Sequence, residues 1–290
     1  MFRLGYNTNG LAHHRPDDAL RLLANLGYEA VALTPDVGAL DPLHLRAEEV
    51  RSVARLAEDL GLALVVEGGA RFVLDPNRKH RPNLMDEDPA GRARRVDLYR
   101  RLIDLAADLG APVLSLWAGA AEGGATFEGG APDADRECLL ERLVDGLDPV
   151  LAHAAAAGVT VAFEPEPGMF VERPEGYRAV RDALRDRGLA LALTLDVGHC
   201  VVTDEAPFDA LFEEFASDLA NVHLADCPRG LHEHRMFGEG DLDLPAALDA
   251  LTRIGFRGVA SVELSRDSHR GPDAAREALE RVRAAAAERA

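Results

Sequence analysis

The sequence predicts a (β/α)8 barrel, and three observations point there. A short apolar run rich in Val, Leu and Ala occurs eight times, each run set off by Gly or Pro or by a longer stretch with helical spacing. The runs are apolar throughout rather than alternating, as parallel strands covered on both faces require, and parallel strands need crossover helices. The turn after the first run, YNTNGLAHH from Tyr6 to His14, lacks a G-x-G-x-x-G phosphate turn, which weighs against the runner-up, a doubly wound open sheet. Eight such units fill a barrel of about 250 residues, so residues 1–290 are expected to form a single domain, with no linker inside it.

The strand candidates, in order, are FRLGYN (2–7), EAVALT (29–34), ALVVEG (63–68), PVLSLWA (112–118), VTVAFEP (159–165), ALALTLD (190–196), ANVHLAD (220–226) and GVASVEL (258–264). Helical spacing appears in 17–27, 47–61, 94–110 and 137–158, and Gly27, Gly61, Gly110, Gly158 and Gly188 stand where helices would stop. Two connections are long for an α/β unit: Gly68 to Asp88 and Gly119 to Asp135. Both follow a strand, so both belong to the C-terminal face of a barrel, where lids sit.

Composition narrows the function. Fifty acidic against thirty-two basic residues leave a net charge of −18, which repels a phosphate backbone, so no nucleic acid partner is expected. No apolar run reaches the ~18 residues of a membrane span. The start, MFRLGYNTNG, has no basic-then-apolar leader; a cytoplasmic protein with no membrane partner is expected. Cys138, Cys200 and Cys227 are too few and too scattered for a disulfide framework or a zinc ribbon.

The chemistry should lie where strands end. Glu164 closes the fifth strand, Asp196 the sixth, with His199 three residues on; His223 lies in the seventh and Glu263 ends the eighth. In a barrel these positions share one mouth. Three carboxylates there repel one another unless a cation lies between them, and a mixed carboxylate and imidazole set suits Mn2+, Co2+, Zn2+ or Fe2+, with Mg2+ less favoured. After the seventh strand comes CPRGLHEHRMFGEGDLDL, which packs His232 and His234 beside acids and glycines.

The segments AFEPEPG, LDVGHC, VHLAD, FGEGDLDL and SVEL, in that order, resemble the motifs of the xylose-isomerase-like barrels, the sugar phosphate isomerase/epimerase superfamily. The resemblance covers nearly the whole chain and implies an isomerase or epimerase. In the ketose 3-epimerase branch the matching residues bind one divalent metal; here they are Glu164, Asp196, His223 and Glu263. The residues matching that branch's substrate contacts are His199 and Arg229. In the AP-endonuclease branch an Asp and a His before GEG bind additional zinc; His232 and His234 hold those places, but the histidines that branch needs after strands three and four are missing, with Glu67 and Trp117 nearby instead. The resemblance also implies self-association, since relatives are often dimers or tetramers.

The expectation is a metal-dependent isomerase or epimerase of a sugar or polyol that works through an enediolate. Glu164 and Glu263 would move protons on either side of the substrate. His199, Arg229, Trp117, His232 and His234 are the expected substrate contacts. The same equipment would serve a 3-keto-sugar lyase or dehydratase, and a zinc-dependent phosphodiesterase is the alternative from another reaction class. Asn7 and Asn9 fit either a hydroxyl contact or a turn. The cluster Arg71, Arg78, Lys79, His80 and Arg81 fits either a substrate anion or an ordinary exposed loop.

Overall fold

A computed structural model describes residues 2–69, 71–205 and 207–287. The elements run β1 (Arg3–Asn7), α1 (Pro16–Leu26), β2 (Ala30–Leu33), α2 (Ala47–Asp59), β3 (Ala63–Glu67), α3 (Pro89–Leu109), β4 (Val113–Leu116), α4 (Asp133–Ala157), β5 (Thr160–Phe163), α5 (Pro174–Arg185), β6 (Ala192–Asp196), α6 (Val197–Val202), α7 (Phe208–Phe215), β7 (Leu219–Leu224), α8 (Leu244–Arg253), β8 (Val259–Val262) and α9 (Gly271–Ala287). The strands close in sequence order, β1 to β8, into a parallel barrel. The eight apolar runs are the eight strands, because a strand covered by sheet neighbours and helices carries mostly apolar side chains on both faces.

By packing density the chain falls into two compact units. The first contains the chain up to Leu33, Val53–Val65, and everything from Thr194 onward. Its sheet is β2–β1–β8–β7, in register through Gly5↔Ala30, Gly5↔Ser261 and His223↔Ser261. Small residues at these rungs let the barrel interior close; a Cβ on Gly5 would meet the Ser261 hydroxyl at 2.8 Å. Tyr28 ties α9 to this sheet, its hydroxyl donating to the Ala275 carbonyl at 2.8 Å.

The second unit contains Thr34–Ser52 and Val66–Leu193. Here β4 pairs with β3 and β5, and α3 and α4 cover the sheet with Leu98, Leu102, Ile103, Leu143 and Leu147, all buried. Leu84, from the loop before α3, packs against α4 at Gly146, where a Cβ would come within 2.9 Å of it.

Helix ends follow the sequence signals. Asp88 caps α3 by accepting from the N–H groups of Ala90 and Gly91. Gly27, Gly110 and Gly158 end α1, α3 and α4 in the left-handed region. The helix α5 stops earlier than Gly188 implies: Arg185 is its last residue and Asp186 the cap. Both long connections are present, from 68 to 88 and from 117 to 132, and both follow strands. Among the described residues no helix is long and apolar enough to cross a membrane.

Candidate active site

Asp196 ends β6 and also begins α6. One carboxylate oxygen, Oδ1, accepts the His199 N–H at 2.9 Å. The other, Oδ2, is buried with no hydrogen-bond partner among the described residues. Leaving a charged oxygen so placed costs about 1–3 kcal/mol or more unless something else satisfies it.

His223, 2% exposed, stands on β7. Its Nδ1 lies 3.0 Å from Glu263 Oε2, and its Nε2 lies 3.2 Å from the side-chain amide of Asn221, two residues earlier on the same face. With that amide nitrogen donating to Nε2, the neutral ring carries its proton on Nδ1, toward Glu263, and a cation bound there would replace that proton. Glu263 follows β8, its N–H bonded to the Leu224 carbonyl. The Asn9 side chain, from the turn after β1, donates to Glu263 Oε1 at 2.7 Å. Glu164 follows β5, is 4% exposed, and donates its N–H to the Leu116 carbonyl at 2.8 Å. Asp196, His223 and Glu263 each offer a ligand atom, all within 4.8 Å of one another.

Electrostatics separate the two acids. Burial holds the Asp196 carboxyl above the ordinary carboxylate range; His234 and His223 oppose that rise and Glu263 adds to it. Burial pushes Glu263 the same way, but His223 and His234 outweigh it and hold Glu263 below its ordinary range. The donor set fits a divalent cation: carboxylates crowded together, an imidazole among them, and a buried carboxylate oxygen with no proton to accept.

Beside this group lies a second one. The Nε2 atoms of His234 and His232 each lie 3.0 Å from His199 Nε2. The three imidazoles form a compact cluster, with ring centroids 4.6, 5.2 and 5.4 Å apart. His199 is 4% and His234 8% exposed. His234 Nδ1 is 3.9 Å from Glu263 Oε1, and His199 Nε2 is 3.9 Å from Asp196 Oδ2, so the two groups adjoin.

The GEG stretch acquires a physical reason. Asp226, 1% exposed, accepts the N–H groups of Gly238, Gly240 and Leu242 at 2.7, 3.0 and 2.9 Å. Its backbone pairs with Arg235, the residue after His234. Gly240 passes so close that a Cβ there would sit 2.4 Å from the Asp226 carboxylate. Asp226 therefore anchors the loop that presents His232 and His234. The sequence reading missed it, although the signal was the Asp three residues after His223 followed by glycines with no other evident use. It also left open what Asn9 does; the structure gives it the Glu263 carboxylate.

Arg229 is not brought to either cluster. Its side chain is 62% exposed and paired with Asp204, and its N–H donates to Asp241 at 2.9 Å. Trp117 is half-buried one residue beyond β4. In the basic stretch, Arg78 pairs with Asp75 and Arg81 with Asp86. Cys200 and Cys227 are buried, and burial pushes both thiols far up, so they remain protonated packing groups; Cys138 is exposed on α4.

A family model described as xylose isomerase-like TIM barrel matches residues 20–285. The L-ribulose-5-phosphate 3-epimerase UlaE of Escherichia coli (strain SE11) is 26% identical over 272 residues, covering 89% of this chain and 84% of the relative. The D-allulose 3-epimerase of Methylomonas sp., solved in complex with D-allulose, superposes with a TM-score of 0.74 at 18% identity, covering 97% of this chain and 96% of that one. The IOLI protein, solved with a bound zinc atom, gives 0.77 at 18% identity over 99% of each chain. At such identities the structural likeness shows the fold.

Proposed function

Since the chain belongs to the xylose isomerase-like TIM barrel family, we propose that it is a divalent-metal-dependent epimerase or isomerase of a ketose sugar. The observation that carries this reading is the convergence of Asp196, His223 and Glu263 within 4.8 Å. UlaE and the Methylomonas enzyme, both named as ketose 3-epimerases, support the substrate class. One metal ion, Mn2+, Co2+, Zn2+ or Fe2+, would be held by those three residues with Glu164 as the fourth ligand, and would supply Lewis-acid polarisation of the sugar's carbonyl and hydroxyl oxygens.

The chain's own groups do the rest. Glu263 is ionised over the working pH range, so it starts as an acceptor for the proton on the carbon beside the carbonyl. Asn9 and His223 hold its two oxygens in place. Glu164 is the second carboxylate, returning a proton from the opposite side of the substrate. The His199 imidazole faces negative charge as it develops on the sugar oxygens, and His232 and His234 set its orientation. Water exclusion follows from burial: Asp196 and His223 are at most 2% exposed.

The test is elemental analysis of the purified protein beside His223→Ala, followed by a screen for deuterium uptake from solvent across ketoses. About one metal equivalent that is lost in the variant, with exchange at a single carbon, is the expected result. No metal uptake from any candidate ion would overturn the reading.

The histidine cluster favours a second reading. Two imidazole nitrogens each 3.0 Å from a third suit zinc, and more than one zinc would fit hydrolysis of a phosphodiester. Two or three zinc equivalents together with cleavage of abasic DNA would select it, against the −18 charge that opposes nucleic acid.

A further inference from the structure

The loop between β3 and α3 carries a histidine that the site above does not use. His80 has φ of 60°, in the left-handed region, which a non-glycine residue keeps only when its surroundings impose it. Arg95 on α3, 3% exposed, donates to the carbonyls of His80 at 2.9 Å and Pro82 at 2.7 Å. The His80 N–H donates to the Arg71 carbonyl at 2.6 Å. The same guanidinium lies 5.4 Å from the centre of the Tyr99 ring, and the Tyr99 hydroxyl donates to the Trp117 carbonyl at 3.2 Å. One buried arginine thus fixes both the backbone under His80 and the tyrosine that anchors Trp117.

The product is an edge-on pair. The imidazole and indole centroids are 5.2 Å apart with their planes at 87°. The imidazole Nδ1 is buried with no hydrogen-bond partner among the described residues. Trp117 follows Leu116, the residue whose carbonyl takes the Glu164 N–H, so the pair stands one residue past the rung that bears a carboxylate of the proposed metal set.

We infer that His80, backed by Trp117, is a specificity-determining residue that hydrogen-bonds a hydroxyl of the substrate and selects an unphosphorylated ketose. This rests on the epimerase reading above. Burial first, then Lys79, Arg95 and Arg71, push the imidazole down to about 3, so it is neutral at working pH. A neutral imidazole has one donor and one acceptor, which match a hydroxyl; a phosphate dianion can only accept. Four of the cations nearby are already engaged: Arg78 with Asp75, Arg81 with Asp86, Arg94 with the Leu74 carbonyl and Arg95 with two carbonyls. A buried polar group of this kind discriminates strongly against ligands that leave it unpaired.

Trp117 is the chain's single tryptophan, so its emission reports on this spot whether or not turnover occurs. Zinc-loaded wild type, His80→Gly and His80→Asn would be titrated with D-allulose, L-ribulose and L-ribulose 5-phosphate, with KM and kcat measured in parallel. Glycine accepts φ of 60° without strain and removes the ring; asparagine tolerates it and restores a donor and an acceptor. Expected in His80→Gly is a rise of about tenfold or more in KM and in the emission-derived Kd for a free ketose, with kcat within about twofold, partly reversed in His80→Asn. The phosphate ester should bind more weakly than the free sugar and ignore both changes.

Unchanged KM and Kd in His80→Gly, or preference for the phosphate ester, would overturn the inference. Sugar binding that depends on His80 with no turnover would sustain it and remove the epimerase reading. Turnover indifferent to His80 would do the reverse, and neither binding nor turnover with any ketose would remove both.

Discussion

At the ends of β6, β7 and β8 the polar side chains face one another; around the ends of β3 and β4 they face the backbone. In the first region Asp196 Oδ2 has no hydrogen-bond partner, His223 meets Glu263, and His199 meets His232 and His234. In the second, Arg95 is spent on the carbonyls of His80 and Pro82, Tyr99 on that of Trp117, and Asn83 on that of Ala120. Charge gathered in a dry place is costly unless a cation or substrate completes it. Polar groups spent on carbonyls are already satisfied and serve as scaffolding. The first region has the character of chemistry and the second, His80 apart, of shape.

The largest effect that would break this contrast is metal loss. His223→Ala should abolish tight metal binding and reduce turnover by about a thousandfold or more, read by elemental analysis and initial rates. Full activity in that variant would make the first region scaffolding too. Asn9→Ala should be milder, about ten- to a hundredfold in metal affinity or kcat, because it only orients Glu263; an effect within twofold would show that Glu263 needs no such support.

Asp226→Asn tests whether anchoring and chemistry are separable. It removes a charged acceptor from three N–H groups and should cost about 3 kcal/mol, lowering Tm by several degrees. His80 gives a pH signature in the other region. Its folded pKa, pushed to about 3 by burial and by Lys79, Arg95 and Arg71, lies below the ordinary 6.5. Between these values the unfolded chain holds a proton that the folded chain does not, so stability falls as pH drops through that window, by at most about 1.4 kcal/mol per unit. Chemical denaturation at stepped pH should show a shallower slope for His80→Asn. The smallest effect belongs to Arg229→Ala: an exposed pair with Asp204 is worth about 0–1 kcal/mol, and KM should move less than about twofold. A tenfold rise would bring Arg229 into the site.

The barrel was legible because burial on both faces leaves a mark on most residues of a strand, and all eight runs carry it. The carboxylates were legible for the opposite reason: Glu164, Asp196 and Glu263 are charges attached to the ends of apolar runs, where packing has no use for them. Asp226 and His80 were not. Their work depends on which backbone groups come near them in three dimensions, and neither a loop's path nor a positive φ at a histidine is written in composition or periodicity. Arg229 shows the converse difficulty. Its spacing from His223 matched a motif, yet the side chain turns to Asp204, one among many acids on a surface of net charge −18.

The cysteines have a practical consequence. Cys200 and Cys227 are enclosed as thiols that do not ionise, while Cys138 lies open on α4. A maleimide dye or spin label added to the native protein should therefore attach at one place, with no residue replaced beforehand. The chain comes with its own handle for fluorescence transfer from Trp117 or for surface immobilisation, and mild oxidation during storage should mark that handle before it reaches the thiols beside Asp196 and Asp226.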